Sequence, residues 1–390
     1  MKNTKKDTAD YEESEEIAIR SGKKALERAP WLFNRRSNLI KGGFFVELRE
    51  NNLVHPDYCS VHCVDGNGTK LFLGPWSGNY RKAPQDGIAM NANDMATIIS
   101  AYPDALNIYI ACQTEVEEQH MGEIMNGFVD AAEKIKIQNA PFDLNIGKLE
   151  TASLDEMISL GIPNKGHDFG IVMVGYIKKD KVPNLEPKPG HLIVGVSSTG
   201  LHSNGYTGAR HVLFTPDVEY REEWKSQYKG RFHFNDKPKI LEGKTVLEAL
   251  QVPTALYLVE ASLIGQEFNN RDIYGVNITG NGLHNFNRAG KNVSFEITEP
   301  MDILPIHKLL IQESNWSPKQ AYTKQNMGMG FTYIAPSFDI AEGIVKLIND
   351  RGENKAKIVG VVNKSKEKEL ITRIHKPYEG NLLEFIGYSN

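Results

Sequence analysis

Cysteine is nearly absent from the chain: Cys59, Cys63 and Cys112 are the only three in 390 residues. So sparse and odd a count excludes a disulfide scaffold and fits a reducing compartment. Long apolar runs are missing as well. Residues 169–177 are among the longest, the length of a strand and far short of a membrane span. The first seven residues hold no apolar stretch, so no signal peptide is expected. Basic excess is lacking too: 45 Lys and Arg stand against 49 Asp and Glu, for a formal net charge of -4. The basic residues are scattered rather than gathered into a stripe, which argues against nucleic acid as a partner. The familiar phosphate signatures are absent: no G-x-x-x-x-G-K-[ST] loop, no G-x-G-x-x-G between strand and helix, no kinase catalytic set. A soluble cytoplasmic protein is expected, engaging neither membrane nor nucleic acid.

What is present is globular. Apolar residues make up 40% and charged residues 24%, and the length suits two domains. Residues 12–28 mix Glu, Lys and Ala and read as an exposed helix or a solvated arm, so 1–40 is set apart as an N-terminal arm. From about Val54, strand and helix patterns alternate. Strands are expected at 60–64, 106–111, 144–146 and 169–177, and helices at 87–101 and 118–135. The last carries Met121, Ile124, Met125, Phe128, Ala132 and Ile135 in one stripe. Pro183, Pro187, Pro189 and Gly190 then interrupt any regular element. The boundary is placed there, between a first domain at 41–188 and a second at 189–390. The second domain repeats the alternation, with strands at 191–196, 273–278, 293–297, 330–335 and 357–362. Its helices are expected at 205–214, 255–264, 306–314 and 339–350. Residues 215–244 are charged and aromatic without periodicity and read as an excursion. Two α/β domains of the α+β type follow.

Several stretches carry chemistry. Asp65-Gly66-Asn67-Gly68-Thr69-Lys70 follows a strand and offers an acid for Mg²⁺, amides for phosphate and a cation; it also suits a plain hairpin turn. Asn91, Asn93 and Asp94 stand inside a helical segment that their types disfavour, which suggests a metal or phosphate site, or a cap in a broken helix. Glu150 and Thr151 lie at a strand end, as a further carboxylate for Mg²⁺ or as a surface loop. In the second domain, residues 197–206 are dense in hydroxyls and glycine between a strand and a helix, a setting for an anion. Thr279-Gly280-Asn281-Gly282 and Asn326-Met327-Gly328-Met329-Gly330 are shorter glycine-rich turns. His202 and His284 could equally be structural. His55, Cys59, His62 and Cys63 have the types of a zinc set, but His62 and Cys63 would face opposite sides of a strand, so the set is read as incidental.

In order along the chain, these stretches resemble the aminoimidazole ribonucleotide (AIR) synthetase family, the phosphoribosylformylglycinamidine cyclo-ligases. The family's G-T-D-G-V-G-T-K appears as residues 63–70, its N-D pair as Asn93-Asp94 and its G-G-E-T-A as 148–152, with Lys148-Leu149 in place of the glycines. S-S-G-x-H-S-N-G-[YF] appears as 197–206 with one extra residue, A-P-T-x-x-Y as 252–257, T-G-G-G-[FL] as 279–283 and F-N-x-G-x-G as 325–330. The resemblance implies a two-domain AIR synthetase-like fold, with the first-domain sheets of a homodimer joined in a β-barrel. It implies ATP-driven closure of formylglycinamidine ribonucleotide, with ATP and Mg²⁺ as cofactors. Asp65, Asp94 and Glu150 would hold the metal, and Gly66, Gly68, Thr69, Lys70, Asn93 and Thr151 would complete the ATP site. Ser203, Asn204, Gly205, Thr279, Gly280 and Asn326 would hold the nucleotide substrate, with Asp65, Lys70 and His202 catalytic. Two readings stay open beside it: a related ATP-dependent phosphoryl-transfer enzyme of the thiamine-phosphate kinase type, and a non-catalytic homologue.

Overall fold

A computed structural model describes residues 46–50, 56–158, 162–288, 290, 292–365, 370–378 and 380–386. The arm at 1–40 and its expected helix lie outside the described residues.

The first sheet is built from β1 (Glu47–Glu50), β2 (Tyr58–Asp65), β3 (Tyr102–Cys112), β4 (Asn145–Ser153) and β5 (His167–Lys178), in the order β1-β2-β5-β3-β4. Alternation fixes its faces. Cys59, Val61 and Cys63 of β2 and Phe169, Ile171 and Met173 of β5 are buried on one side. Helices α1 (Ala83–Ala96) and α2 (Thr114–Lys134) cover that side with Ile88, Ala92, Met95, Ile124 and Phe128. On the other face nothing among the described residues covers the far end of the sheet: Val64 is 76% exposed and Tyr109 44%. α1 starts one turn before the expected position because Pro84 presets the first helical turn. It stops where Ile99 and Ser100 take positive φ. Two of its carboxylate or amide side chains, at positions 93 and 94, reach into the second domain.

The second sheet holds β6 (Leu192–Ser197), β7 (Tyr274–Asn277), β8 (Val293–Ile297), β9 (Met329–Ala335), β10 (Ala356–Lys364), β11 (Ile371–Ile374) and β12 (Leu383–Ile386), in the order β12-β11-β8-β10-β6-β9-β7. Around it lie α3 (Tyr206–Leu213), α4 (Leu258–Phe268), α5 (Pro305–Glu313), α6 (Pro318–Lys324) and α7 (Phe338–Arg351). Pairing is antiparallel except between β3 and β4 and between β8 and β11. The sequence expectation ended at β10; β11 and β12 are four residues each and carry Arg373 and Glu384 as an ion pair, so they offer little periodic signal.

The two sheets share a core. One buried cluster runs from Val61, Met95 and Ile171 to Val194, Tyr257, Ala261 and Phe331 of the second domain. The excursion after α3 packs against the first domain as well. Trp76 meets Phe214 and Phe234 at centroid distances of 5.5 and 4.9 Å. The buried Arg210 guanidinium sits 3.8 Å from the Phe72 ring centroid. No helix among the described residues is long and apolar enough to cross a membrane.

Candidate active site

Asp65 ends β2 and accepts a bond from the next amide, Gly66 N, at 2.7 Å. A Cβ on Gly66 would lie 2.6 Å from the Phe169 carbonyl oxygen, so the turn needs glycine there. Gly68 has φ 57° and opens one 3₁₀ turn, Gly68–Phe72. Asp94 projects from α1 and accepts from Asn277 Nδ2 of β7 at 2.8 Å. Burial pushes its carboxyl up to about 7; Asn277 and Arg288 oppose this and the charge of Asp65 adds to it. Burial raises Asp65 too, against the bond from Gly66. Two carboxylates that resist ionisation therefore share one electrostatic environment at the junction of the domains.

Glu150 is not with them. Register pairs Asp65 with Ile171, Ile171 with Ile108 and Ile108 with Leu149, whereas Glu150 pairs with Tyr109 on the opposite face. Three strand spacings put it about 14 Å away in the sheet. Its carboxylate pairs with Lys148 Nζ at 2.9 Å at the surface, and Thr151 Oγ1 donates to Glu117 Oε1 at 3.4 Å. The expected three-carboxylate metal set is not assembled within the chain. No group of three His, Cys, Asp or Glu side chains among the described residues is arranged to hold a metal. That includes the Cys59, His62 and Cys63 set; His55 lies outside the described residues.

Lys70 has a different partner from the expected phosphate. It is buried, and Nζ donates to Asp86 Oδ1 at 2.7 Å, to the His202 carbonyl at 2.8 Å and to the Val252 carbonyl at 2.8 Å. An ammonium has three donors, and all three are engaged. Burial pulls its pKa down while Asp86 holds it up. Asp86 Oδ1 also receives Thr254 N at 2.8 Å and Thr254 Oγ1 at 2.7 Å. Thr254 Oγ1 lies 2.9 Å from Ser203 Oγ, and Thr69 Oγ1 lies 3.0 Å from Thr207 Oγ1. Asn93 bridges likewise, donating to the Ala255 carbonyl at 2.8 Å and accepting from Tyr257 N at 2.9 Å. The loop at 65–70 and the loop at 197–206 are thus fastened side by side. Sequence reasoning missed Asp86; an acid in the first turn of a helix reads as a dipole partner.

His202 occupies a positive φ of 61°. Its Nε2 accepts from Thr199 N at 3.4 Å. Burial drives its pKa down to about 3, helped by Lys70 and His307. The ring is enclosed and neutral, a brace for the loop rather than an exposed proton carrier. Asn326 also braces, donating to the Gly200 carbonyl at 2.9 Å and accepting from Gly328 N at 3.0 Å. Asn204 faces the turn at Thr279 and Gly280, its Oδ1 3.6 Å from a Cβ placed on Gly280. Gly205, at φ 71°, leads into α3. Ser203, Asn204 and Thr279 remain half-buried.

The fold and site define a two-domain α+β protein with a shared core, one glycine-bearing loop from each domain meeting at the junction, and a pair of acids beside them. The chain belongs to the AIR synthase related protein family: the family's N-terminal domain matches residues 50–141 and its C-terminal domain residues 188–373. A phosphoribosylformylglycinamidine cyclo-ligase of Methanococcus maripaludis strain C7 is 34% identical over 312 residues, 80% of each chain. One of Methanocaldococcus jannaschii is 31% identical over 313 residues, again 80% of each. Among solved structures, a chain of a HypE-HypF complex superposes with a TM-score of 0.55 at 13% identity, over 93% of this chain and 98% of that one. AaThiL complexed with AMPPCP and TMP gives 0.52 at 12% identity, over 94% and 95%. At such identities these two show the fold alone.

Proposed function

We propose that the chain is a phosphoribosylformylglycinamidine cyclo-ligase, using ATP to close formylglycinamidine ribonucleotide into 5-aminoimidazole ribonucleotide in purine synthesis. The relatives that bear that name resemble it across both domains. The observation that carries the reading is the fastening of loop 65–70 to loop 197–206 through Lys70, which would bring a nucleotide at one loop against a ribonucleotide at the other.

A formyl amide carbonyl is a poor electrophile because its nitrogen shares density with it. Transfer of a phosphoryl group to its oxygen gives a good leaving group; the amidine nitrogen then forms the ring C–N bond, the C–O bond breaks and phosphate departs. Such chemistry asks the protein for positioning and charge control. The acids Asp65 and Asp94 fit Mg²⁺, since each is held back from ionising where a cation would favour its charge. Mg²⁺ commonly takes one or two carboxylates together with phosphates and waters, and it would neutralise phosphate charge there. The backbone amides of 66–69 and the Thr69 hydroxyl would orient phosphates, and Asn204 and Thr279 would line the substrate side.

The first-sheet face that the described residues leave uncovered, with Val64 and Tyr109 exposed on it, supports a homodimer formed through it. Sedimentation at micromolar concentration is expected to show two copies, and Tyr109→Glu to show one. Function is tested by incubating the protein with formylglycinamidine ribonucleotide and Mg-ATP. Aminoimidazole product with matching ADP is the expected result. ATP turnover only with thiamine phosphate would make it a kinase of that type, and no turnover with either would make it non-catalytic.

A further inference from the structure

The polarity of one substrate-side hydroxyl is fixed by the groups behind it. Asp86 Oδ1 receives Lys70 Nζ at 2.7 Å and Thr254 N at 2.8 Å, two groups that can only donate. The Thr254 hydroxyl lies 2.7 Å from the same oxygen, so it too donates, giving Asp86 its single proton. Thr254 Oγ1 can then meet Ser203 Oγ, 2.9 Å away, only as an acceptor. Ser203 must supply that proton, and a hydroxyl has no second one. What the half-buried Ser203 can offer a ligand is lone pairs.

We infer that Ser203 Oγ accepts a hydrogen bond from an N–H or O–H of the substrate, and that Asp86 and Thr254 are positioning residues that hold it in that polarity. The inference rests on the function proposed above. Formylglycinamidine ribonucleotide carries donors of this kind on its amidine, its amide and its ribose hydroxyls. Its phosphate oxygens are acceptors, and two acceptors facing each other repel. Ser203 therefore reads the reacting half or the sugar of the substrate and not its phosphate, contrary to the anion-binding role that a Ser- and Gly-rich loop suggests. The chain Lys70–Asp86–Thr254–Ser203 gives the loop this selectivity from sites 51 to 133 positions distant in sequence.

Calorimetric titration with formylglycinamidine ribonucleotide and with its dephosphorylated riboside tests this on the full-length protein. Ser203→Ala and Thr254→Val should each weaken both ligands by the same factor, about tenfold for one neutral hydrogen bond. Thr254→Ser, which keeps the hydroxyl, should bind both as the wild type does; a purely packing role for Thr254 would reverse the two, because Val keeps the shape of Thr while Ser loses its methyl group. A loss confined to the phosphorylated ligand, unchanged binding by Ser203→Ala, or failure of Thr254→Ser to restore affinity would each overturn the inference. Should Thr254→Val not fold, Ser203→Ala with the two ligands decides alone. A wild type that binds neither ligand removes the functional reading and this inference together, whereas wild-type binding with indifferent variants removes only the inference.

Discussion

Lys70 follows Asp-Gly-Asn-Gly-Thr, a setting that suits a phosphate-binding cation, yet its ammonium is turned into the domain junction. Its partner there is a buried acid, so the two roles give opposite mutational signatures. Lys70→Met leaves Asp86 buried without a cation and strips two carbonyls of their donor. Breaking a buried pair from one side costs about 3–5 kcal/mol, and urea unfolding is expected to show a loss of that order. An unchanged unfolding midpoint with lost ATP affinity would return Lys70 to the nucleotide. Asp94 behaves in reverse. Burial already disfavours its charge, and Asn at that position keeps an acceptor for Asn277. Asp94→Asn should hold or raise the melting temperature while Mg-dependent ATP turnover falls by at least about tenfold, as losing even an outer partner of a metal does. Full turnover would remove Asp94 from the metal set.

At the scale of elements, α1 is where the two domains are joined, and its glycine is a sharper probe than its polar residues. Replacing a helix-interior glycine by alanine ordinarily gains about 1 kcal/mol. At Gly87, however, a Cβ would lie 2.4 Å from Asn67 Oδ1 and 2.5 Å from Ile171 Cδ1. Gly87→Ala is therefore expected to destabilise by about 1–3 kcal/mol, the range of overpacking, and denaturation that shows a gain instead would mean that the loop at 65–70 is not seated on α1. The helix itself was legible from its apolar spacing, as were β5 and α2. Its polar run was legible only as an anomaly. Asn93 finds its partners at Ala255 and Tyr257, and Asp94 at Asn277; residues 160 or more positions apart leave no local pattern. The same limit hid Asp86, and it misled at Glu150, where adjacency in a motif hid the fact that alternate strand residues face opposite ways. The short β11 and β12 were silent for want of length.

For the whole molecule, burial has set two groups of strongly shifted side chains against each other, and their balance sets their share of the pH dependence of stability in the absence of metal and nucleotide. His167, His202 and His307 are buried, with pKa values lowered to about 3, about 3 and about 4. Unfolded, they protonate near 6.5, so below that pH the unfolded chain binds more protons through them and acid costs stability. Asp94 and Glu260 are raised by burial to about 7 each. Unfolded, they lose their protons near 4, so between about 4 and 7 the native chain binds more protons through them and acid adds stability. From pH 8 down to about 6.5 only the carboxylates differ, and stability should rise. Between about 6.5 and 4.5, three histidines less two carboxylates leave one proton in favour of the unfolded chain, a gentle loss of about 1.4 kcal/mol per pH unit. Below about 4 neither the carboxylates nor His307 differ any longer, and His167 and His202 give a slope of about 3 kcal/mol per unit down to about pH 3. Urea midpoints from pH 8 to 3 should trace a maximum near 6.5, a gentle fall, and this steepening below about 4. Glu260→Gln sharpens the test, because it deletes one opposing carboxylate whose second oxygen, Oε2, has no hydrogen-bond partner among the described residues. The variant should exceed wild type by about 3 kcal/mol at pH 8, match it near pH 4, and lose two protons' worth of stability per unit between 6.5 and 4.5 rather than one. Midpoints that keep rising as the pH falls below 5 would show that the three histidines meet water in the native protein, and the enclosed His202 on which loop 197–206 is braced would be the first of them to doubt.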